Sequence, residues 1–245
     1  MNNIRVRSAI VALSLAFMSC SPVGEGLMQK DRKPDNSADD ANMIVPSGQG
    51  VTSSLDPATR DLLRKQGKTI KAYSSAYGFD WRLVLAVMKT ESSFDAGAES
   101  PRGAVGLMQI MPTTGEEVGR ELEIDVAAHP GNNIRAGIYY MSRLYNLFRS
   151  ADEADRLRLT LAAYNSGVGR IYDAQDVASY LQENPNKWVS VRDALPLLSK
   201  RYYTLHKSIW EKERPRSGWF GSSRETVAYV DKIMNYYDDY RLVLN

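Results

Sequence analysis

Apolar residues along this chain recur at helical spacing, and no run of any length alternates apolar with polar as a half-buried strand would. After Asp80, a residue suited to start a helix, Val84, Val87, Met88 and Glu91 fall three or four apart on one face. Ile134, Ile138, Met141, Leu144, Tyr145 and Phe148 form a longer stripe, and Val227, Val230, Ile233, Met234 and Tyr237 form another near the end. Asp56 and Pro57 mark a helix start that continues to about residue 77. A short helix is expected over 113–122, with acidic residues in its first half, before His129, Pro130 and Gly131 break the chain. The stretch from about 154 to 164 brings Leu159, Leu161, Ala162 and Ala163 into the core and delivers Tyr164 and Asn165 at its end, where Gly167 and Gly169 turn the chain. Residues 176–183 and 187–194 read as helices, 212–223 as a loop, and the helix over 225–240 should pack against the one ending at Glu91. The fold class is therefore mainly α, with one globular domain over 57–245.

The amino-terminal residues read differently. Arg5 and Arg7 precede a short apolar run over 9–18, then Ser19 and Cys20, a secretory signal too short to span a bilayer. Cys20 is the only cysteine in the chain, so it has no disulfide partner there. Its place at the cleavage point resembles a bacterial lipoprotein signal, although Phe17 and Met18 stand where Leu and a small residue are usual; a plain secretory signal is the alternative. Lipidation of Cys20 would anchor the protein to a membrane, and Ser21 after it points to the outer membrane, facing the periplasm. Residues 20–56 are rich in Ser, Asp, Asn, Gly and Pro and too poor in apolar groups to order themselves, which suggests a flexible tether after a signal peptide over 1–19.

Composition adds mainly exclusions. With 43% apolar and 24% charged residues the chain can build an ordinary core, and a net charge of +2 without clustered Lys and Arg gives no reason to expect nucleic acid as a partner. His129 and His206 lie far apart with no accompanying metal-ligand spacing, so no metal or other cofactor is expected and both read as structural or exposed.

Glu91 is the candidate for chemistry. A carboxylate at the end of an apolar helical stripe loses hydration, which disfavours its charged form and raises its pKa, as a general acid near neutrality requires. A helix-end glutamate pointing to water is the bland alternative. The segment after Phe94 is unusual: Gly97, Gly103 and Gly106 with Pro101 among them, then the run from Leu107 to Pro112, where backbone can approach a ligand closely. The aromatic residues Trp188, Tyr202, Tyr203, Trp210, Trp219 and Phe220 either stack on a ligand or belong to the core.

ESSF at 91–94, Ser100, GAVGLMQIMPTT at 103–114, AAYNSGVGR at 162–170 and ETVAYVDKI at 225–233 together resemble the lytic transglycosylase catalytic domain, which is related to goose-type lysozyme. YGFDWRLV at 77–84 and NPNKWVSVRDALPLLSKRYY at 184–203 resemble the catalytic half of the membrane-bound lytic transglycosylase F type, whose amino-terminal solute-binding-like domain has no counterpart in this sequence. The resemblance implies a lysozyme-like fold and peptidoglycan glycan strands as substrate. It implies Glu91 as the single general acid and base, cleaving without water to leave a 1,6-anhydro end. It also implies Ser100, Gln109, Tyr164 and Glu225 as the polar lining, Met108 as an apolar wall and Asn165 near the turn, with Tyr164 positioning Glu91 or the sugar. Ser100 as a cap, Tyr164 as a core phenol and Glu225 as a helix-end charge are the alternatives. Two rival functions remain: a hydrolytic muramidase, needing a second carboxylate from Asp95 or Glu225, and a non-catalytic peptidoglycan-binding protein.

Overall fold

The structure is a computed structural model, and it describes residues 55–244. The expected signal, Cys20 and the tether up to residue 54 lie outside the described residues. Among the described residues nine α-helices succeed one another: α1 (Pro57–Ala76), α2 (Trp81–Ser92), α3 (Pro112–Leu122), α4 (Pro130–Leu147), α5 (Glu153–Ser166), α6 (Val168–Tyr180), α7 (Trp188–Ala194), α8 (Tyr203–Ile209) and α9 (Ser223–Val243). Two 3-10 turns, Leu195–Leu198 and Lys200–Tyr202, separate α7 from α8. No strand occurs among the described residues; only two isolated bridges form, Glu99 with Val105 and Val105 with Ile110.

Local chemistry explains most helix starts. Asp56, Asp80 and Asp152 each accept a hydrogen bond from a backbone N–H in the first turn of the helix that follows, and proline opens α1, α3 and α4, where no donor is lost. His129 caps α4 through Nδ1, which accepts from the Asn132 N–H at 3.3 Å. Leu55 is only 7% exposed and joins the core, so the fold begins two residues before the expected start of the domain at residue 57.

At the centre lies α2. Sequence periodicity predicts one buried stripe, yet Leu83 through Met88 are all buried, so this helix is hydrophobic all round and forms the middle of the fold. Fully enclosing a side chain such as Leu85 or Met88 stabilises by roughly 1.5–3 kcal/mol. As expected, α9 runs along it, while α1 packs against both α2 and α4. On α9 Val230 and Ile233 of the expected stripe are buried, but Val227, Met234 and Tyr237 are only half-buried, and Thr226, Tyr229 and Tyr240 complete the buried face instead. On α4 the expected stripe holds: Ile134, Ile138, Met141 and Leu144 are buried, as is Phe148 just beyond the helix, and Tyr145 is half-buried.

The 172–224 stretch departs from expectation at its start. Gly167, at φ 87°, turns the chain, but Gly169 already belongs to α6, which begins eight residues before the helix expected there. The reason for Gly169 is close approach: a Cβ there would lie 2.3 Å from Ser217 Oγ. The loop carrying Ser217 is strapped to α6 by the buried Asp173, whose two carboxylate oxygens accept from the Arg216 and Ser217 N–H groups at 3.0 and 2.8 Å. Trp188, Trp210 and Phe220 are core residues, whereas Tyr203 and Trp219 are exposed. His206 is fully buried, and its Nε2 faces the Leu197 carbonyl at 2.7 Å. Among the described residues no helix is long and apolar enough to cross a membrane.

Candidate active site

Glu91 sits in the last turn of α2, where the helix is stopped by two successive left-handed residues, Ser93 at φ 52° and Phe94 at φ 70°. Neither is glycine, so this exit carries backbone strain that the surrounding contacts hold in place. Ser92 helps: its hydroxyl donates to the Leu107 carbonyl at 3.0 Å, fastening the helix end to the glycine-rich segment. The Glu91 residue keeps a rim of exposure, but its carboxyl group is enclosed. Tyr229, arriving on α9, donates its hydroxyl to Glu91 Oε1 at 2.5 Å. Burial pushes the Glu91 carboxyl up from 4.5 to about 7, against the smaller lowering effect of that hydrogen bond. A carboxylic acid poised there can both give and take a proton near neutral pH.

Residues 97–112 form a compact loop in front of α4. Gly103 (φ 80°), Gly106 (φ 76°) and Gln109 (φ 46°) supply its reversals. Gly106 is required twice over, since a Cβ would also stand 2.6 Å from the Asn133 side-chain amide. That amide bridges the loop, Oδ1 accepting from the Met108 N–H at 2.8 Å and Nδ2 donating to the Val105 carbonyl at 3.0 Å. Ser100 closes a turn by accepting from the Ala104 N–H at 3.0 Å. Gln109 donates through Nε2 to the carbonyls of Ala98 and Gly106 at 3.1 and 3.0 Å, which leaves its Oε1 without a hydrogen bond among the described residues. Both residues therefore fasten the loop, and Gln109 also offers one free acceptor.

Three of the expected lining residues, Met108, Tyr164 and Glu225, stand differently from their expected roles, while Asn165 lies near the turn as expected. Met108 has 0% exposure and lies against Gly137 of α4, where a Cβ would approach its own Cβ to 2.6 Å; it is a core residue, and Met111, at 40% exposure, presents the open apolar surface of this segment. Tyr164 does not hydrogen-bond Glu91. Its hydroxyl donates to the Met108 carbonyl at 2.8 Å, a buried acceptor with no backbone partner, and its ring tilts against Tyr140 at 5.5 Å. Burial, then the nearby Glu91 charge, pushes the Tyr164 phenol well above 10. Glu225 is exposed in the first turn of α9 and its side chain makes no hydrogen bond or ion pair among the described residues, the arrangement of a charge complementing a helix amino terminus. Asn165 is exposed at the end of α5, its Oδ1 accepting from Thr226 Oγ1 at 2.9 Å, which couples that end of α5 to α9. Asp95 is committed to a turn, accepting from the Gly97 N–H at 2.8 Å.

Tyr229 and Met111 are the residues that sequence reasoning overlooks. A signal for Tyr229 exists: Thr226, Tyr229, Val230 and Ile233 recur at helical spacing, a stripe that Val227 and Met234 obscure by being more plainly apolar. No group of three or more His, Cys, Asp or Glu side chains among the described residues could hold a metal ion.

Residues 68–186 match the family described as the transglycosylase SLT domain. The membrane-bound lytic murein transglycosylase F of Desulfosudis oleivorans is 35% identical over 170 residues, covering 69% of this chain and 35% of that protein. Its counterpart in Shewanella sediminis is 34% identical over 186 residues, covering 74% of this chain and 36% of that protein. This chain thus spans about a third of the length of the curated relatives it matches. Among solved structures, an inactive mutant of the lytic transglycosylase Slt from Pseudomonas aeruginosa has a similar fold, with a TM-score of 0.50 at 23% identity, covering 75% of this chain and 27% of that one. Through residues 68–186, on a mainly α, lysozyme-like fold, this chain belongs to the transglycosylase SLT domain family.

Proposed function

We propose that this protein is a peptidoglycan lytic transglycosylase in which Glu91 serves as both general acid and general base. The observation that carries the proposal is the enclosed Glu91 carboxyl, raised by burial to about 7 and held by the Tyr229 hydroxyl at 2.5 Å. Protonated Glu91 gives its proton to the oxygen linking N-acetylmuramic acid to N-acetylglucosamine. The bond from that oxygen to the muramic C1 breaks, releasing the N-acetylglucosamine hydroxyl. The ionised carboxylate then takes the proton of the muramic C6 hydroxyl as that oxygen bonds to C1. Glu91 ends protonated again, no water is consumed, and the product carries a 1,6-anhydro ring.

One carboxylate suffices on this route because the substrate supplies the nucleophile. The engagement of Asp95 in a turn and the exposure of Glu225 support it over a hydrolytic route with two carboxylates about 5–9.5 Å apart. Gln109 Oε1, Asn165 and Met111 are the groups left available to the glycan, while Ser100 and Tyr164 hold the loop that presents them. The proposal extends to location: lipidation of Cys20 places the enzyme in the cell envelope, at the outer membrane, in keeping with the membrane-bound naming of its relatives.

Mass spectrometry of the muropeptides released from purified sacculi by the full chain and by Glu91→Gln tests the reading. Anhydro ends from the first and none from the second are expected. Reducing ends would select hydrolysis, and no release by either would select a binding protein.

A further inference from the structure

The expectation that Lys and Arg are not clustered fails in one stretch. Residues 200–216 hold six Lys and Arg against two Glu, whereas the rest of the chain has more acidic than basic residues. The stretch comprises the second 3-10 turn, α8 and most of the loop that leads toward α9, and Lys200, Arg201, Lys207, Lys212, Arg214 and Arg216 are all exposed. Some of this charge is matched. Lys207 pairs with Glu213 at 3.5 Å and Arg216 with Asp176 of α6 at 3.2 Å, while the buried Asp173 of α6 is taken up by two backbone N–H groups. The remaining carboxylate, Glu211, stands without an ion pair among the described residues, as do Lys200, Arg201, Lys212 and Arg214, so the face keeps a positive excess. Lys212, Arg214 and Arg216, with Glu211, ring a cavity of about 410 Å³ whose floor includes Trp210 and Pro215.

The same small body carries two uncovered aromatic side chains. Tyr203 is 54% exposed and Trp219 37%. The Lys207 ammonium lies 5.8 Å from the Tyr203 ring, and Trp219 lies against His206 at 5.0 Å, which in turn lies 5.4 Å from Trp210 of the cavity floor. Side chains with a long apolar stem and a charged tip, beside rings with a polar edge, are those that settle at the headgroup level of a bilayer. There the cations meet phosphate and the rings are half covered. Sugar rings would account for the exposed aromatics but would leave the free cations unmatched, whereas an anionic bilayer matches both.

We propose that the face built by α8 and residues 210–219 docks on an anionic phospholipid surface, with Lys212 and Arg214 on phosphate headgroups and Tyr203 and Trp219 at the level of the glycerol backbone. This contact belongs to the folded domain and is separate from an acyl chain on Cys20. It rests on the envelope location proposed above, which brings a bilayer within reach.

Co-sedimentation of the full chain carrying Cys20→Ser, which cannot be acylated there, reads the surface by itself. The vesicles are neutral phosphatidylcholine and an equal mixture of phosphatidylcholine with phosphatidylglycerol. Binding to the mixed vesicles should be about tenfold or more tighter than to the neutral ones, and adding Lys212→Glu with Arg214→Glu should remove about tenfold or more of it. Raising the salt from about 0.1 to about 1 M, which shortens the reach of charge from about 10 to about 3 Å, should release the chain. Tyr203→Ser, at an exposed position, should weaken binding as well, with thermal melting to verify that each variant is folded. Equal binding to the two vesicles, or unchanged binding by the charge-reversed chain, would overturn the proposal. If charge reversal instead weakened binding to purified sacculi and left vesicle binding unchanged, the face would be a wall contact and the proposal would fall. Metabolic labelling of the unsubstituted chain with a fatty acid reads the location separately: no label on Cys20 would count against the lipoprotein reading, while the vesicle assay would still decide the surface.

Discussion

Tyr229 and Glu91 stand 138 residues apart in the chain and share one hydrogen bond of 2.5 Å, so the candidate acid is completed only when α9 closes along α2. The phenol donates to the ionised carboxylate, which lowers the Glu91 pKa against the larger upward effect of burial. Replacing Tyr229 with Phe removes the lowering influence. The pH at which kcat/KM falls on the alkaline side, expected near 7 for the unsubstituted chain, should therefore move upward in Tyr229→Phe. A pH–rate profile of anhydro-end formation reads this directly, and an unmoved or lowered limb would contradict the assigned role.

The same titration sets a pH dependence of stability. Glu91 binds its proton in the folded state up to about pH 7, whereas the unfolded chain releases it near 4.5, so the unfolded state binds fewer protons across that interval. Stability from this group therefore falls as pH rises from about 4.5 to about 7 and levels off above. Glu91→Gln, which removes the buried charge, should be more stable than the unsubstituted chain above pH 7, by about 1–3 kcal/mol in urea unfolding, with the gain shrinking toward pH 4.5.

Gly106→Ala tests the loop. The substitution forces a side chain into φ 76° and drives its Cβ to 2.6 Å from the Asn133 amide, which bridges Met108 and Val105. A loss of about 2–4 kcal/mol is expected in urea unfolding, the sum of left-handed strain and overpacking. Gly218→Ala, also at positive φ but with nothing within 4 Å of a Cβ, is the control and should lose only the strain.

Asp173→Asn tests the strap between α6 and the loop leading into α9. An amide offers one acceptor oxygen where the carboxylate offers two, so either the Arg216 or the Ser217 N–H loses its partner. The expected cost is about 1–2 kcal/mol. Hydrogen exchange should show faster exchange at those two amides, with the amides of α2 unchanged.

Much of this arrangement is legible in the sequence, because capping and periodicity are local. Asp56 and Asp80 announce their helices through one side chain each, and the apolar stripe of α4 faces the core as read. The expected pairing of α9 with α2 also holds. What escapes reading is set by contacts between distant segments. Met108 and Met111 look interchangeable in LMQIM, but the left-handed turn at Gln109 breaks any period between them, and only the packing of Met108 on Gly137 decides which one is covered. The family resemblance implies that Tyr164 positions Glu91 or the sugar, and nothing local in the sequence decides what its hydroxyl meets. The Met108 carbonyl, buried without a backbone donor, takes the Tyr164 hydroxyl instead, and Tyr229 fills the place beside Glu91. The start of α6 is hidden by Gly169, whose role is to admit Ser217 closely rather than to turn the backbone.

The chain enters the described fold at Leu55 and Asp56, and the Asp56 carboxylate is shared between the first turn of α1, through Thr59, and Lys89 of α2 at 2.9 Å. Lys89 lies two positions before Glu91 and also faces the rings of Tyr236 and Tyr240 on α9. Through this one carboxylate the start of the described fold is joined both to α1 and, by way of Lys89, to the turn of α2 that bears the candidate acid, so Asp56→Ala should loosen two helices rather than one.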